Sequence, residues 1–182
     1  ILTNMGINVD ILSSFNFKKI DESRTLSISK NNIDFFNSNI SNLNKLSWKI
    51  NNIEIYSDNL KNERVLNFEN NKNELFSIIQ NYQLLNKLKK ELSGNRFIKF
   101  IKEEKIDQKE IDKDYNLVIN CNANNFISKK FFYKKIYKKY NSFAYTAIID
   151  HIKLENNKTA IQIFTKNGPL AFLPISDHKT SI

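Results

Sequence analysis

The sequence predicts a mixed α/β fold, α+β overall, in which a partial doubly wound layer leads into an antiparallel sheet. Hydrophobic residues make up 41% of the 182 residues, which is enough for a buried core. Helical and strand periodicities alternate in the first two thirds of the chain. From residue 144 onward, short strand-like runs follow one another, and this order indicates a layered domain that changes into a sheet.

The first half of the chain predicts a strand, a helix and then further strands. Residues 7–12 form an apolar, β-branched run after Gly6, which is typical of a strand that follows a helix end. Residues 28–40 show helical spacing. Runs with a period of two then predict three strands, at residues 50–55, 65–68 and 75–79.

The clearest helix begins at Asn81, because its leucines recur at helical spacing and Gly94 follows as a stop. Beyond it the pattern predicts a strand at 96–100, a charged connection at 102–114 and a short buried strand at 117–119. Three consecutive strands are predicted at residues 144–154, 159–165 and 170–175.

The composition excludes several classes of site. Cys121 is the single cysteine, so a disulfide framework and a cysteine zinc site are excluded, and we expect Cys121 to be a small buried residue. The two histidines share no ligand motif, and we expect no metal. The sequence has no apolar run long enough to span a membrane and opens with no signal peptide, so we expect a cytoplasmic protein.

The net charge of +9 comes almost entirely from lysine, because the chain has only three arginines. Nucleic-acid sites usually rely on arginine, so we expect no nucleic-acid partner. Residues 129–139, KKFFYKKIYKK, predict a helix with Lys130, Lys134 and Lys138 on one face. A solvated helix face, an anionic membrane surface and nucleic acid all remain open for it, and the membrane is the preferred binding partner.

Three stretches carry a family resemblance. They are RTLSISKNNIDFF (24–36), ELFSIIQNYQLLNKLKKEL (74–92) and AIQIFTKNGPLAFLPISDHKTSI (160–182). They resemble, in family order, the ubiquinone-biosynthesis hydroxylases, the UbiH-like branch of the FAD-dependent aromatic monooxygenases. The third stretch is similar to the family's F-T-P-T-G-P-L-A-L-L-P-L-S-D and is the most specific.

The resemblance implies a partial FAD-binding domain over residues 1–135 and the start of an antiparallel substrate domain over 136–182. It implies hydroxylation of a polyprenylated phenol in ubiquinone biosynthesis, with FAD as cofactor, NAD(P)H as reductant and molecular oxygen as co-substrate. Other ubiquinone-biosynthesis proteins and the membrane surface would be partners. The protein would be cytoplasmic and peripheral to the inner membrane.

The resemblance also implies site residues. Arg24 would face the phosphate or ribose side of FAD, Gln80 would lie against the cofactor at a strand-to-helix junction, and Phe172, Leu173 and Pro174 would lie near the substrate cavity. A surface arginine, a polar helix start and ordinary core packing are the respective structural alternatives. No catalytic side chain is implied, because the cofactor carries the chemistry.

The departures from the family concern the cofactor. The family's G-x-G-x-x-G turn would lie before Ile1, and Ser13 stands where an acidic residue holds the ribose. In DYNLVINCNANNF (114–126), Asn120 and Ala123 replace two glycines and Asn122 replaces the flavin-contacting aspartate. We therefore expect weak FAD binding by this chain alone. A degenerate, non-catalytic scaffold is the alternative function.

Overall fold

The structure is a computed structural model that describes residues 1–12, 21–60, 63–70, 74–102, 114–134 and 136–182. Its helices are α1 (Lys30–Asn39), α2 (Asn81–Ser93) and α3 (Phe126–Phe131), with 3-10 turns at Leu2–Met5 and Asp58–Leu60. Its strands are β1 (Val9–Leu12), β2 (Thr25–Ser29), β3 (Trp48–Ile50), β4 (Asn52–Ser57), β5 (Arg64–Glu69), β6 (Phe76–Gln80), β7 (Ile98–Ile101), β8 (Ile148–Asp150), β9 (Thr159–Thr165), β10 (Gly168–Ser176) and β11 (Lys179–Ser181). The predicted mixed α/β class is confirmed.

The chain divides into two compact units. The first contains residues 1–9, 16–98 and 145–182, and the second contains residues 10–15 and 99–144. Both units therefore draw on separated parts of the chain. The division expected after residue 135 refers to the FAD and substrate domains of a complete protein, and it stays a prediction.

Two sheets build the first unit. The larger has six strands in the order β5-β4-β9-β10-β11-β8, and the smaller has three in the order β2-β6-β3. The late strands pair antiparallel as expected, β9 with β10, β10 with β11, and β11 with β8. β4 joins β9 in parallel, however, with Asn52 opposite Thr159. The larger sheet is therefore mixed, and two of its strands come from the middle of the chain.

β6 divides the core of the first unit, because its successive side chains point to opposite faces. On one face Ile79 packs with Ile33 of α1, Leu84 of α2 and Leu43, all of them buried. On the other face Ile78 packs with Ile50 and Ala160. The three-stranded sheet thus lies between a helical layer and the larger sheet.

In the first unit one predicted helix starts later than expected and another is confirmed. The helix expected from residue 28 is preceded by β2, in which the apolar residues Leu26 and Ile28 alternate with Thr25 and Ser27. Ser29 ends the strand and caps α1, because its side chain accepts a bond from the N–H of Asn32. The helix expected from Asn81 is confirmed as α2, with Gly94 at its C-terminal cap.

A separate two-stranded sheet pairs β1 with β7, and in the second unit the hydroxyl of Tyr115 donates a 2.6 Å hydrogen bond to the Asp10 carboxylate. The strand expected at 117–119 is absent from the described residues, and Leu117 and Ile119 are exposed. The apolar pattern is present there, but the described residues provide no partner strand to satisfy the backbone groups. The charged connection at 102–114 falls almost wholly outside the described residues.

The helix expected over the lysine-rich segment is wrong beyond Phe131, where α3 ends. Its lysines would lie four residues apart, and like charges at that spacing destabilise a helix. Aromatic residues, which have low helix propensity, fill the positions between them. None of the helices in the described part of the chain is long and apolar enough to cross a membrane.

Candidate functional site

Backbone carbonyl groups and glutamine side chains meet where β2 begins and β6 ends. Thr25 pairs with Gln80 in the antiparallel ladder, and the N–H of Asn81 donates a 2.9 Å hydrogen bond to the carbonyl oxygen of Arg24. Since Gln80 is the N-cap residue of α2, Arg24 lies beside the start of that helix. We call Glu22, Arg24, Gln80 and Gln83 the strand-end cluster.

The Gln80 side chain is oriented by its neighbours. The amide nitrogen of Gln83 donates to Oε1 of Gln80 at 2.8 Å, and Nε2 of Gln80 donates to the carbonyl oxygen of Glu22 at 3.5 Å. The second bond is long, so Nε2 can still donate to a ligand. The side chain does not cap α2, and the first N–H of the helix, that of Asn81, is instead satisfied by the carbonyl oxygen of Arg24.

Arg24 supplies a full positive charge to the strand-end cluster. It is exposed, and it forms no ion pair with any residue that the structure describes. The pKa of Asp21 is lowered chiefly because the N–H and hydroxyl of Ser23 donate to its carboxylate, and the charge of Arg24 adds to the effect. An exposed guanidinium is suited to binding a phosphate group.

Hydroxyl groups flank the strand-end cluster. Ser23 and Thr146 share a hydrogen bond of 2.8 Å between their side-chain oxygens, and the hydroxyl of Thr25 donates to that of Ser181 at 3.2 Å. These bonds join the start of β2 to the last part of the chain.

A second polar structure precedes α3, and we call Asn120, Asn122, Asn125 and Ser128 the asparagine turn. Oδ1 of Asn120 accepts from the N–H of Asn122 at 3.2 Å and from Nδ2 of Asn125 at 2.8 Å. The buried hydroxyl of Ser128 accepts from Nδ2 of Asn120 at 2.7 Å and donates to the carbonyl oxygen of Asn122 at 2.6 Å. Asn125 caps α3 through the N–H of Ser128. The turn is therefore fixed by its own side chains.

A cleft of about 330 Å³ opens beside this turn. Its lining residues are Asn120, Cys121, Asn122, Ala123, Ser128 and Phe132. Cys121 is exposed, which corrects the expectation of a buried thiol. The positive-φ residues other than glycine in the described chain are Asn141 and Asn156. Ala123 thus has an ordinary φ, and alanine is unstrained at this turn.

One of the two polar atoms of the Asn122 side chain is available to a ligand. Its Oδ1 accepts the N–H of Asn124 at 2.9 Å, while its exposed Nδ2 has no hydrogen-bond partner within the described ranges. An aspartate at this position would accept the same bond but could not donate. Asn122 therefore presents an amide donor where the resemblance implied a carboxylate acceptor.

The predicted substrate residues lie along β10. Leu173 packs against the buried cluster around Ile78, so core packing accounts for it. Pro174 is buried and pairs with Thr180. Phe172 is half-buried on the opposite face of the strand, paired with Ile161. Of the three, Phe172 is neither buried nor packed against that cluster.

The structure brings Arg24 and Gln80 together in the first unit, and Asn122 belongs to the second unit. Ser13 lies outside the described residues. The sequence analysis missed Gln83 and Ser128. Their spacing offered a signal, because Gln80 with Gln83 and Asn125 with Ser128 are each separated by the three residues typical of a helix start.

No protein-family model matches the chain, and no curated protein matches it. A solved structure does: the chain is similar to a mutant of PqsL from P. aeruginosa, with a TM-score of 0.66 and 12% sequence identity. The match covers 99% of this chain and 54% of that one, so the chain spans about half the length of the structure it matches.

At 12% identity the likeness concerns the fold. It also corrects the family resemblance, because PqsL is not one of the ubiquinone-biosynthesis hydroxylases and no family model matches. The assignment to the UbiH-like hydroxylases is therefore wrong. The three stretches of similar sequence contain β2, β6 with α2, and β9 with β10. These elements belong to the shared fold and do not identify the UbiH-like branch.

Proposed function

We propose that the protein contributes the strand-end cluster and its two sheets to an FAD-dependent monooxygenase. One observation carries the proposal: the likeness of fold to PqsL extends over 99% of the chain, and PqsL is an FAD-dependent monooxygenase. The substrate is an aromatic compound of a class that the proposal leaves open. The expected polyprenylated phenol rested on a resemblance that is now corrected.

The residues of the strand-end cluster fit a nucleotide cofactor. The backbone of Arg24 lies beside the start of α2, and its exposed guanidinium would bind a phosphate of FAD. Nε2 of Gln80 would donate to an oxygen of the same cofactor, since its bond to Glu22 is long.

Bound FAD, once reduced by NAD(P)H, would activate O₂ so that one oxygen atom enters the aromatic ring and the other leaves as water. The protein's own residues would then bind and orient the substrate, and they would exclude water from it. The redox chemistry would belong to the cofactor.

Titration of the complete protein with FAD tests the proposal. Replacing Arg24 by Gln should weaken FAD binding about tenfold or more, since a charge-assisted hydrogen bond contributes about 1.5–3 kcal/mol. Arg96→Gln is the matched control, because Arg96 is also exposed and contacts Phe97 through its guanidinium. Equal FAD affinity for both variants would contradict the role of Arg24.

A non-catalytic scaffold is the second candidate function. It is favoured by the asparagine turn, whose side chains bind mostly one another. The scaffold predicts no FAD binding by the complete protein and no FAD-dependent oxidation of NAD(P)H. Measurable oxidation that requires both FAD and O₂ would exclude it.

A further inference from the structure

One stretch of the chain combines concentrated charge with exposed apolar side chains. Residues 115–149 contain six lysines and no acidic residue, so they carry +6 of the net charge of +9. The charge is thus concentrated rather than spread evenly along the chain. We call residues 129–145, which contain all six lysines, the basic aromatic segment.

The aromatic side chains of this segment are unusually exposed. Phe131, Phe132, Tyr133, Tyr137, Tyr140 and Phe143 are between 60% and 86% exposed, and Ile136 is fully exposed. Apart from the last residues of α3, the described part of this segment forms neither helix nor strand. Exposed apolar area of this extent, bordered by charge, is typical of a surface that binds a partner.

Charge and apolar area lie together in the segment. The ammonium group of Lys134 is 6.0 Å from the centre of the Tyr133 ring, and that of Lys138 is 5.3 Å from the centre of the Tyr140 ring. A partner must therefore be anionic and must accept aromatic and aliphatic groups next to its charges. A bilayer with anionic headgroups has both properties, because tyrosine rings favour the interface and lysines favour the headgroups.

Nucleic acid fits these observations less well. All three arginines of the chain lie outside the segment, although arginine is preferred for stacking and for bidentate phosphate contacts. Ile136, the most exposed side chain, has no ring on which a base could stack. Aliphatic and phenylalanine side chains enter the boundary between headgroups and acyl chains readily.

We propose that the basic aromatic segment binds the surface of an anionic lipid bilayer. The lysines contact the headgroups, while Phe132, Ile136 and Tyr137 enter the interface. The surface is independent of the strand-end cluster, and the proposal does not require FAD or any enzymatic activity.

Vesicle flotation of the purified protein tests this proposal. We expect binding to phosphatidylcholine vesicles that contain about 30% phosphatidylglycerol and no binding to phosphatidylcholine alone. Raising the salt from about 0.1 M to about 1 M should weaken binding strongly, because the Debye length falls from about 10 Å to about 3 Å.

Two sets of variants separate the electrostatic contribution to vesicle binding from the apolar contribution. Changing Lys134, Lys138 and Lys139 to Gln should lower vesicle affinity about tenfold or more. The matched control changes Lys45, Lys153 and Lys166, which are equally exposed but lie elsewhere, and it should lower affinity about threefold at most. Ile136→Ser should weaken binding without changing the net charge, which a purely electrostatic contact would not show.

Single-stranded oligonucleotides provide the opposing measurement. If the protein binds them at physiological salt and loses affinity on Tyr137→Ala, while vesicles do not bind, the proposal is wrong and the partner is nucleic acid. Binding to neither also overturns it. Circular dichroism shows whether each variant is folded, and all the substituted side chains are exposed.

Discussion

The indole N–H of Trp48 donates a 2.6 Å hydrogen bond to the backbone carbonyl of Asn157. This bond joins β3 of the three-stranded sheet to the turn that precedes β9 of the larger sheet. Asn157 is itself fixed, because its side-chain amide donates to the carbonyl of Ser176 at 2.7 Å. The two sheets of the first unit are thus connected by polar contacts as well as by their shared core.

We predict that Trp48→Phe lowers the free energy of unfolding by about 1–3 kcal/mol, because a partly buried carbonyl loses its donor and packing area is lost. Urea unfolding at neutral pH measures the effect. Tyr137→Phe is the control, since its exposed hydroxyl has no partner in the described chain, and it should stay within about 0.5 kcal/mol of the wild type. Equal stability of the two variants would mean that the bond contributes nothing.

Glu54 makes stability depend on pH. Its pKa is lowered first because the Tyr56 hydroxyl donates to its carboxylate at 2.8 Å, and further because Arg64 and Asn52 donate to it. A lowered pKa means that the stabilisation is complete above the ordinary value of 4.5 and is lost as the pH falls through the folded value.

Tyr56→Phe should therefore be less stable than the wild type at pH 7, and the difference should shrink as the pH is lowered from about 6 to about 3. Urea midpoints at several pH values test this. Tyr133→Phe, in an exposed position, should show no such pH-dependent difference. A Tyr56→Phe difference that is constant over the range would show that the hydroxyl does not act through Glu54.

Two buried serines should respond in opposite ways to removal of the hydroxyl. Ser77 is fully buried, and its Oγ has no hydrogen-bond partner among the described residues. Ser41 is also buried, but its hydroxyl donates to Glu91 at 3.0 Å. Ser77→Ala should leave stability unchanged or raise it by about 1 kcal/mol, while Ser41→Ala should lower it by about 1 kcal/mol. Thermal unfolding of both variants measures the contrast, and destabilisation by Ser77→Ala would reveal a bond at Oγ.

The asparagine turn should depend on Asn120 far more than on Asn122. Asn120→Ala removes three hydrogen bonds and leaves the buried Ser128 hydroxyl with one partner fewer. We expect a loss of about 1–3 kcal/mol. Asn122→Asp keeps the acceptor for the N–H of Asn124 and should be neutral to within about 0.5 kcal/mol. Hydrogen exchange at Ser128 reports on the turn directly, and faster exchange in Asn122→Asp than in Asn120→Ala would reverse the assignment.

Local sequence patterns correctly predicted the helices and strands whose core-facing spacing and end signals lie within one segment. The leucine spacing and Gly94 predicted α2, and the alternation in residues 159–165 predicted β9, because core-facing positions repeat regularly in both. The strand at 117–119 and the lysine-rich helix failed for a different reason. The predicted strand has suitable apolar residues but no neighbouring strand among the described residues. The predicted helix would place like charges four residues apart.

The candidate site was predicted in part for the same reason. Arg24 and Gln80 were identified through similar motifs, and their adjacency follows from the pairing of β2 with β6, which no local pattern specifies. The resemblance placed Leu173 near a substrate cavity, and a strand pattern alone does not show which face of the strand packs into the core. The register against β9 and the cluster around Ile78 decide that.

The parallel pairing of β4 with β9 affects how the protein folds during synthesis. β9 leaves the ribosome about 100 residues after β4, which at roughly 5–20 residues per second is a delay on the order of 5–20 s. Throughout that interval β4 can pair only with β5, and its other edge stays open to a neighbouring nascent chain. The charge of Glu54 in the middle of β4 opposes such an association, so Glu54→Val should raise the fraction of newly made protein that aggregates.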